Sequence, residues 1–556
     1  MNAECYVLNL KWLLLVVLSS SFSAQAAVSG YDIEIDRLYA NGASFGSVGQ
    51  YREIRGTLYF EVDPQNSHNQ IIVGLDQAPL NSEGLVTFSS DFLLLSPLNP
   101  ENSNQVAIID IPNRGNQIMT RFNNPGMDSD GGDNFLFVEG YTQLWLGWED
   151  DIGSGFRISL PRSQDSELSV SGLGFAAVRD LASWIKYSPD ALASSPYLLS
   201  FGLSQSGRFL RNYLYLGFNS DEQGRQVFDG MMPHIAGASR IDLNRPGANP
   251  ASQGQYTATS FPFTDAAFAD PVSGIREGVL ENVRAIANQP KIFYTNSSVE
   301  YWGGGRVAAM IHTTPDAQQD IVLQDNVRIY LLAGTQHGPS AFPPGQSASR
   351  QLPNNPLNYY WRLRALLLAL TEWVSSGVEP PASAYPRLSD GTLVPVATIN
   401  FPAITDHAPL NTLNAGIRVP NLLLDNGAGA GAPLPLLVPQ VNQDGNEIGG
   451  IPAPELLVPL ATYTGWNFNN PAVADPLRLF PLSGSYIPFP LTAEQREANQ
   501  DPRLSITERY SSKAEFLNLI RQASASLVAQ RYLLERDVEA VEQRASAHWD
   551  YLMDAP

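Results

Sequence analysis

Gly202-Leu203-Ser204-Gln205-Ser206-Gly207-Arg208 follows a short apolar run, Pro196-Tyr-Leu-Leu-Ser-Phe201, and opens an amphipathic one. A strand, a tight turn and a helix in that order hold a serine hydroxyl clear of the backbone, where it can act as a nucleophile. The turn strains its central residue, so the positions two before and two after it must be small. Gly202 and Ser206 meet that demand around Ser204, whereas a nucleophile at Ser206 would put Ser204 and bulky Arg208 in the tight places. Ser204 is therefore the candidate. The second small residue is serine where the G-x-S-x-G pattern has glycine, and the plain alternative is a serine-rich helix N-cap.

A serine hydroxyl needs a histidine base and a carboxylate to orient the imidazole and stabilise its charged form. Of six histidines, His337 is best placed, after the strand Val327–Leu332 and the link Ala333-Gly-Thr-Gln336. His68 precedes the core, His407 sits in a Pro-rich region and His548 on the terminal helix, while His234 and His312 read as structural or pocket-lining. Glu300, ending Lys291-Ile-Phe-Tyr-Thr-Asn-Ser-Ser-Val-Glu300, gives the chain order serine, acid, histidine. Asp265, Asp270, Asp316 and Asp320 compete, each in a turn-rich segment where aspartate commonly forms turns.

Acyl transfer also needs backbone donors for an oxyanion. The amide of Gln205 is one. The other belongs to the loop Pro112-Asn113-Arg114-Gly115-Asn116, where the amides of Arg114, Gly115 and Asn116 are equal candidates and a plain turn is the alternative. Trp145, Trp148, Tyr301 and Trp302 flank the same edge and either line an acyl pocket or pack the core.

The elements that must position these residues begin with short alternating strands over 28–110: Tyr31–Ile35, Gly56–Val62, Gln70–Gly74 and Val106–Ile111. From about residue 106 strands interleave with helices: Phe135–Val138 and Thr142–Leu146 are strand-like, Phe175–Tyr187 helical, Tyr197–Phe201 strand, Arg208–Phe218 helical, and Lys291–Tyr294 and Val327–Leu332 strands. That alternation predicts an α/β fold with a mostly parallel sheet behind antiparallel N-terminal strands. Tyr359–Val374 is an amphipathic helix that closes the core; residues 375–500 are rich in Pro, Gly and short apolar runs, and Ala514–Leu552 is strongly helical. The expected organisation is a leader over 1–26, a core over 27–375, and a loop-rich extension or cap with terminal helices over 376–556.

With these pieces in place the chain resembles the alpha/beta hydrolase domain family of mostly bacterial, esterase-like serine hydrolases, defined by sequence and fold rather than by substrate. The resemblance is carried by Asn113-Arg-Gly115, Gly140-Tyr-Thr142 with Gly147-Trp148, Arg179-Asp180, Gly202–Arg208, Glu300-Tyr-Trp302, Ala333–His337, Asp444-Gly-Asn-Glu447 and Thr462-Tyr-Thr-Gly-Trp466. It implies an alpha/beta-hydrolase fold, a triad of Ser204, Glu300 and His337, and a C-terminal region that belongs to the same unit. The expected reaction is hydrolysis of small-molecule carboxylic esters through an acyl-enzyme. Amide or peptide hydrolysis by the same residues, and a non-catalytic binding protein on the same scaffold, are the alternatives.

Composition narrows the setting. Lys11 precedes Trp12–Leu18, and small residues ending Ala24-Gln-Ala26 follow, which reads as a cleaved secretory signal and hence export to the periplasm or medium, with an uncleaved membrane anchor as the alternative. The single cysteine, Cys5, falls inside that leader, which removes disulfides, thiol catalysis and cysteine-bound metals from the mature chain. A net charge of −21 disfavours nucleic acid and anionic membrane, and no later apolar run is long enough for stable membrane insertion. Asp128-Ser-Asp-Gly-Gly-Asp133 gathers carboxylates as calcium loops do but lacks the rest of their pattern, so it reads as a solvated turn. No metal or cofactor is expected.

Overall fold

The computed structural model describes residues 28–553 apart from 127–131, 162–169, 249, 251–260, 271–273, 283, 303–306 and 405–435. The expected leader, His407 and most of the acidic loop around Asp128 lie outside the described residues.

Among the described residues the main sheet has eleven strands, of which nine form its continuous path: β1 (Val28–Leu38), β2 (Gly49–Val62), β3 (Val86–Pro97), β4 (Val106–Ile111), β5 (Thr142–Leu146), β6 (Tyr197–Leu203), β7 (Gly230–His234), β8 (Lys291–Ser297) and β9 (Val327–Leu332). Their spatial order is β1-β2-β3-β5-β4-β6-β7-β8-β9. The pairings β1–β2, β2–β3 and β3–β5 are antiparallel. Every pairing from β5 through β4 to β9 is parallel. This is the mostly parallel sheet with antiparallel lead-in that the sequence predicts.

Helices α1 (Leu173–Tyr187) and α2 (Gln205–Tyr215) cover one face, and α3 (Tyr360–Ser376) covers the other. Strand alternation serves both layers: Ala107, Ile109 and Ile111 pack with α1 and α2, while Val106 and Ile108 pack on the side of α3. Full burial of each such valine or isoleucine side chain contributes about 1.5–3 kcal/mol. Gly377, at φ 70, ends α3 in the left-handed conformation that glycine adopts without a Cβ clash.

Register puts the candidate residues at one edge. Ile111 lies beside Gly202, Leu203 beside His234, and Ser297 beside Leu332. The loops after β4, β6, β8 and β9 therefore emerge together at the carboxyl ends of the parallel strands, where open α/β sheets form ligand clefts.

The far edge strand is not bare. Leu331 N donates to Ala384 O at 2.9 Å, and Ile451 N donates to Leu331 O at 2.7 Å, so chain from beyond α3 runs alongside β9. Two helices close the chain, α4 (Lys513–Ala529) and α5 (Val538–Met553).

Several local expectations require correction. Gln70–Gly74 is a series of turns with one bridge from Val73 to Ser171. Phe135–Val138 is a single helical turn: Asn134 enters the left-handed region at φ 56, and Leu136 N is capped by Asn123 Oδ1 at 2.7 Å. Strands β3 and β7 were not evident in the sequence. Gly230 and Pro233 conceal β7, where a Cβ on Gly230 would lie 2.5 Å from the Leu199 side-chain methyl and would require it to shift.

Candidate active site

β6 ends at Ser204, whose φ of 61° and ψ of −108° make a sharp corner before α2. The corner is held from both sides: Ser204 N donates to His234 O at 2.9 Å, and Arg208 N donates to Ser204 O at 3.0 Å. A Cβ on Gly202 would sit 2.5 Å from the Ser206 carbonyl oxygen, and one on Gly207 would sit 2.7 Å from His234 O. Glycine at 207 is thus as necessary as glycine at 202, a constraint the spacing rule around Ser204 misses. Ser206 is fully buried, and its hydroxyl accepts from Leu203 N at 2.9 Å and donates to Leu203 O at 3.1 Å. The half-buried Ser204 carries the hydroxyl that faces the cleft loops.

His337 lies on the loop after β9. Its Nε2 is 3.0 Å from Ser204 Oγ, and its Nδ1 is 2.7 Å from Glu300 Oε1. Glu300 sits fully buried in the helical turn Val299–Trp302, and its second oxygen accepts from Ser297 N at 3.1 Å and Ser297 Oγ at 2.5 Å. Both carboxylate oxygens are therefore occupied by donors, which fixes the group's orientation toward the imidazole. Tyr359 Oη donates to His337 O at 2.8 Å, and Gly484 N donates to Gln336 Oε1 at 3.0 Å, bracing the histidine loop from two distant segments.

The competing residues have other partners. Asp265 accepts from Tyr294 Oη at 2.8 Å, and burial pushes its carboxyl up to about 6. Asp316 caps an exposed turn with Thr314, and Asp320 accepts the amides of Leu388 and Ser389 at 3.0 and 2.9 Å. His234 Nδ1 meets Thr295 Oγ1 at 2.8 Å, and His312 Nε2 meets Tyr301 Oη at 3.0 Å. Burial pulls both rings down to about 3. They are neutral structural histidines.

The loop after β4 is a two-residue turn. Asn113 and Asn116 exchange both backbone bonds at 3.0 Å, with Arg114 at φ 52 and Gly115 at φ 76. A Cβ on Gly115 would lie 2.5 Å from Ser154 O, so this glycine is set by both conformation and contact. The Asn116 amide is consumed within the turn. Arg114 N donates to Gln205 Oε1 at 3.2 Å, and Asn113 Nδ2 donates to Leu203 O at 2.7 Å. These two bonds lash the turn to the corner around Ser204. The Gln205 backbone amide opens α2, where helix N–H groups lack intrahelical acceptors.

Two residues of this site escaped the sequence reading, as did a bond made by a third. Glu149 Oε1 accepts from Gln205 Nε2, which also donates to Pro250 O at 2.7 Å; burial pushes the Glu149 carboxyl up to about 7. Asp110 Oδ2 accepts from Trp145 Nε1 at 2.6 Å and from the amides of Ile118 and Met119, and burial pushes it likewise up to about 7. Asn113 is part of the expected oxyanion loop and of the Asn113-Arg-Gly115 motif, but its bond to Leu203 O is not evident from either. For Glu149 the available signal is its place just past β5, masked by the acidic run Glu149-Asp-Asp151.

The four aromatic residues expected near the pocket are core. Trp145 and Tyr301 are 1% exposed, Trp148 2% and Trp302 3%. Trp148 Nε1 donates to Pro112 O at 2.7 Å and its ring packs on Phe209, while Trp302 packs against Trp466. Both faces of the sheet are covered here, so large rings at the strand ends are taken up by packing.

Among the described residues, no group of three or more His, Cys, Asp or Glu is placed to hold a metal ion, and no helix is long and apolar enough to cross a membrane.

A mostly parallel sheet, a serine at a strained strand-to-helix corner and a histidine loop at the same edge describe an alpha/beta hydrolase fold. The chain belongs to the alpha/beta hydrolase domain family, whose profile matches residues 140–543. No curated protein matches it. Among solved structures it is similar to the glucuronoyl esterase from Solibacter usitatus, at 12% identity over 54% of this chain and 80% of that one, with a TM-score of 0.26. It is also similar to the rice cell wall degrading esterase LipA from Xanthomonas oryzae, at 14% identity over 55% and 90%, TM-score 0.27. A third similarity is to acetyl xylan esterase 1 from Thermoanaerobacterium sp. JW/SL YS485, at 12% identity over 57% and 86%, TM-score 0.28.

Proposed function

We propose that the protein is a serine hydrolase of small-molecule carboxylic esters, with Ser204 as nucleophile, His337 as general base and acid, and Glu300 as the group that orients the imidazole. The observation that carries this reading is the unbroken chain from Ser204 Oγ to His337 Nε2 at 3.0 Å and from His337 Nδ1 to Glu300 Oε1 at 2.7 Å. Separations of this size lie within reach of direct proton transfer.

In the first half-reaction Ser204 Oγ bonds to the acyl carbon as its proton passes to His337 Nε2. Collapse of the tetrahedral species breaks the bond to the leaving alkoxide, which takes the proton back from His337. Water then attacks the acyl-serine with His337 again as base, releasing the carboxylic acid. The Gln205 amide and the turn around Gly115 form the side on which the oxyanion develops, the Arg114 and Asn116 amides being engaged by Gln205 Oε1 and Asn113 O. The residues that carry protons and charge through these steps all belong to the chain, and the route requires no cofactor.

Labelling of purified protein with a fluorophosphonate, read by peptide mass spectrometry, tests the assignment. The adduct is expected on Ser204 and absent from Ser204→Ala, whose ester turnover falls by about a millionfold. A well-folded wild type that neither labels nor cleaves p-nitrophenyl esters would return the protein to the binding-protein alternative. Matched ester and amide substrates then separate esterase from amidase.

A further inference from the structure

Resting on that reading of Ser204, His337 and Glu300, we propose that Glu447 is a positioning residue that sets the spacing between the loop bearing Glu300 and the loop bearing His337. It lies 110 residues beyond His337 in the sequence, yet a single carboxylate oxygen, Oε2, accepts from Ser298 Oγ at 2.5 Å and from Gly334 N at 2.8 Å. Ser298 is two residues before Glu300, and Gly334 is three before His337. One acceptor thus receives a donor from each side of the Glu300–His337 pair.

Alongside the Glu300–His337 bond itself, the backbone bond from Ser298 N to Thr335 O at 3.1 Å joins the two loops. The tie through Glu447 adds a link from a third segment, so the 2.7 Å approach of Glu300 to His337 is set by the frame around it. The frame is close-fitting: a Cβ on Gly465 would lie 2.5 Å from Ser298 Cβ, and one on Gly334 would lie 2.9 Å from Leu456. Asn446, adjacent to Glu447, is anchored by accepting Tyr463 N at 2.9 Å and donating to Ala461 O at 3.0 Å.

A merely space-filling role would be better served by an apolar side chain. Glu447 is buried, and its Oε1 has no hydrogen-bond partner among the described residues. Burial of such a group is unfavourable unless its bonds accomplish something that packing alone does not.

The test compares full-length wild type with Glu447→Gln, Glu447→Ala and Ser298→Ala. It reads kcat and KM for p-nitrophenyl acetate, the rate of fluorophosphonate labelling at Ser204, and Tm. Misplacement of a catalytic pair by a fraction of an ångström up to 1 Å costs as much as a hundredfold. Glu447→Ala is therefore expected to lower kcat and labelling rate together by about ten- to a hundredfold, with KM within about twofold. Glutamine restores most of the loss, because its amide oxygen accepts the same two bonds. Ser298→Ala removes a single hydroxyl and answers the question if the Glu447 variants do not fold; a smaller fall in kcat at unchanged KM is expected. Folded variants with wild-type kcat would overturn the proposal, as would a loss that tracks Tm across the set or one that glutamine does not rescue. An inert wild type would instead overturn the esterase reading itself, and that shows before any variant is compared.

Discussion

Ser204 holds its corner against its own backbone preference. Positive φ for a serine costs on the order of 1–3 kcal/mol, and such strain persists only where the surroundings over-determine it. Here the surroundings are the Ser204–His234 and Arg208–Ser204 bonds and the two glycines whose replacement would drive a Cβ into backbone. Glu300 is held with similar rigour, since Ser297 donates twice to the oxygen that His337 does not use. Glu300→Gln keeps the volume but places an NH₂ against either Ser297 or the imidazole. We expect roughly a 10⁴-fold drop in kcat with little change in Tm, measured on the ester that the wild type turns over best. The corner was legible in the sequence because it is a backbone constraint, and backbone constraints appear as glycine and small-residue spacing. The aromatic neighbours were not legible, because Thr142-Gln-Leu-Trp-Leu146 is buried at every position. A strand covered on both faces has no alternation to say which ring meets solvent.

The loops and helices around the corner show where reading by pattern stops. Strands β4, β6, β8 and β9 were evident as apolar runs, and α1 and α3 as helical periods, so the edge at which the loops gather followed from connectivity. Phe135–Val138 is too short for its composition to separate strand from helix, and an asparagine twelve residues before it decides the matter by capping Leu136. Asn113 is a second contact of that kind, made across 90 residues to Leu203 O. Asn113→Ala removes one of the two bonds that hold the turn at Arg114–Asn116 to the corner and should lower kcat by about tenfold, with KM nearly constant, as stopped ester assays would register. At the other side of the molecule, Arg364 of α3 is 2% exposed and pairs with Asp537 just before α5 and with Asp133. Asp537→Ala leaves a buried guanidinium with one partner and should destabilise the protein by about 3–5 kcal/mol in urea unfolding.

Buried ionisable groups set how the fold answers to pH. Burial pushes Asp110, Glu149 and Glu447 up to about 7, and Asp265 up to about 6. Each keeps its proton in the folded state at a pH where the unfolded chain has lost it, so each contributes stability present in acid and lost as pH rises through its folded value. His234, His312 and His548 act in the opposite sense: burial pulls each down to about 3, and their contribution is complete above the ordinary histidine range and lost as pH falls. The two sets oppose each other between about pH 4 and 6.5; above that the histidine gain tapers off, and the continuing loss from the carboxyls near 7 outweighs it. The net charge of −21 acts in the same direction through self-repulsion. Tm by calorimetry at constant ionic strength should therefore be lower at pH 8 than at pH 6.5. A flat or rising profile would mean that these carboxyls are already ionised in the folded protein at pH 6.5. None of this is legible in the composition, which counts acids without saying which are buried.

The braces of the histidine loop also bear on when, during its own synthesis, the protein becomes competent. Ser204, Glu300 and His337 leave the ribosome in that order, but Asn355 ties the Gly334 carbonyl to that of Thr464, and Gln336 takes its amide donor from Gly484. A nascent chain halted near residue 400 would carry all three reactive side chains and lack the segments that hold one of them in place. On the proposed reading of these residues, reactivity is deferred until translation has passed Gly484, and the order of translation itself separates making the nucleophile from arming it.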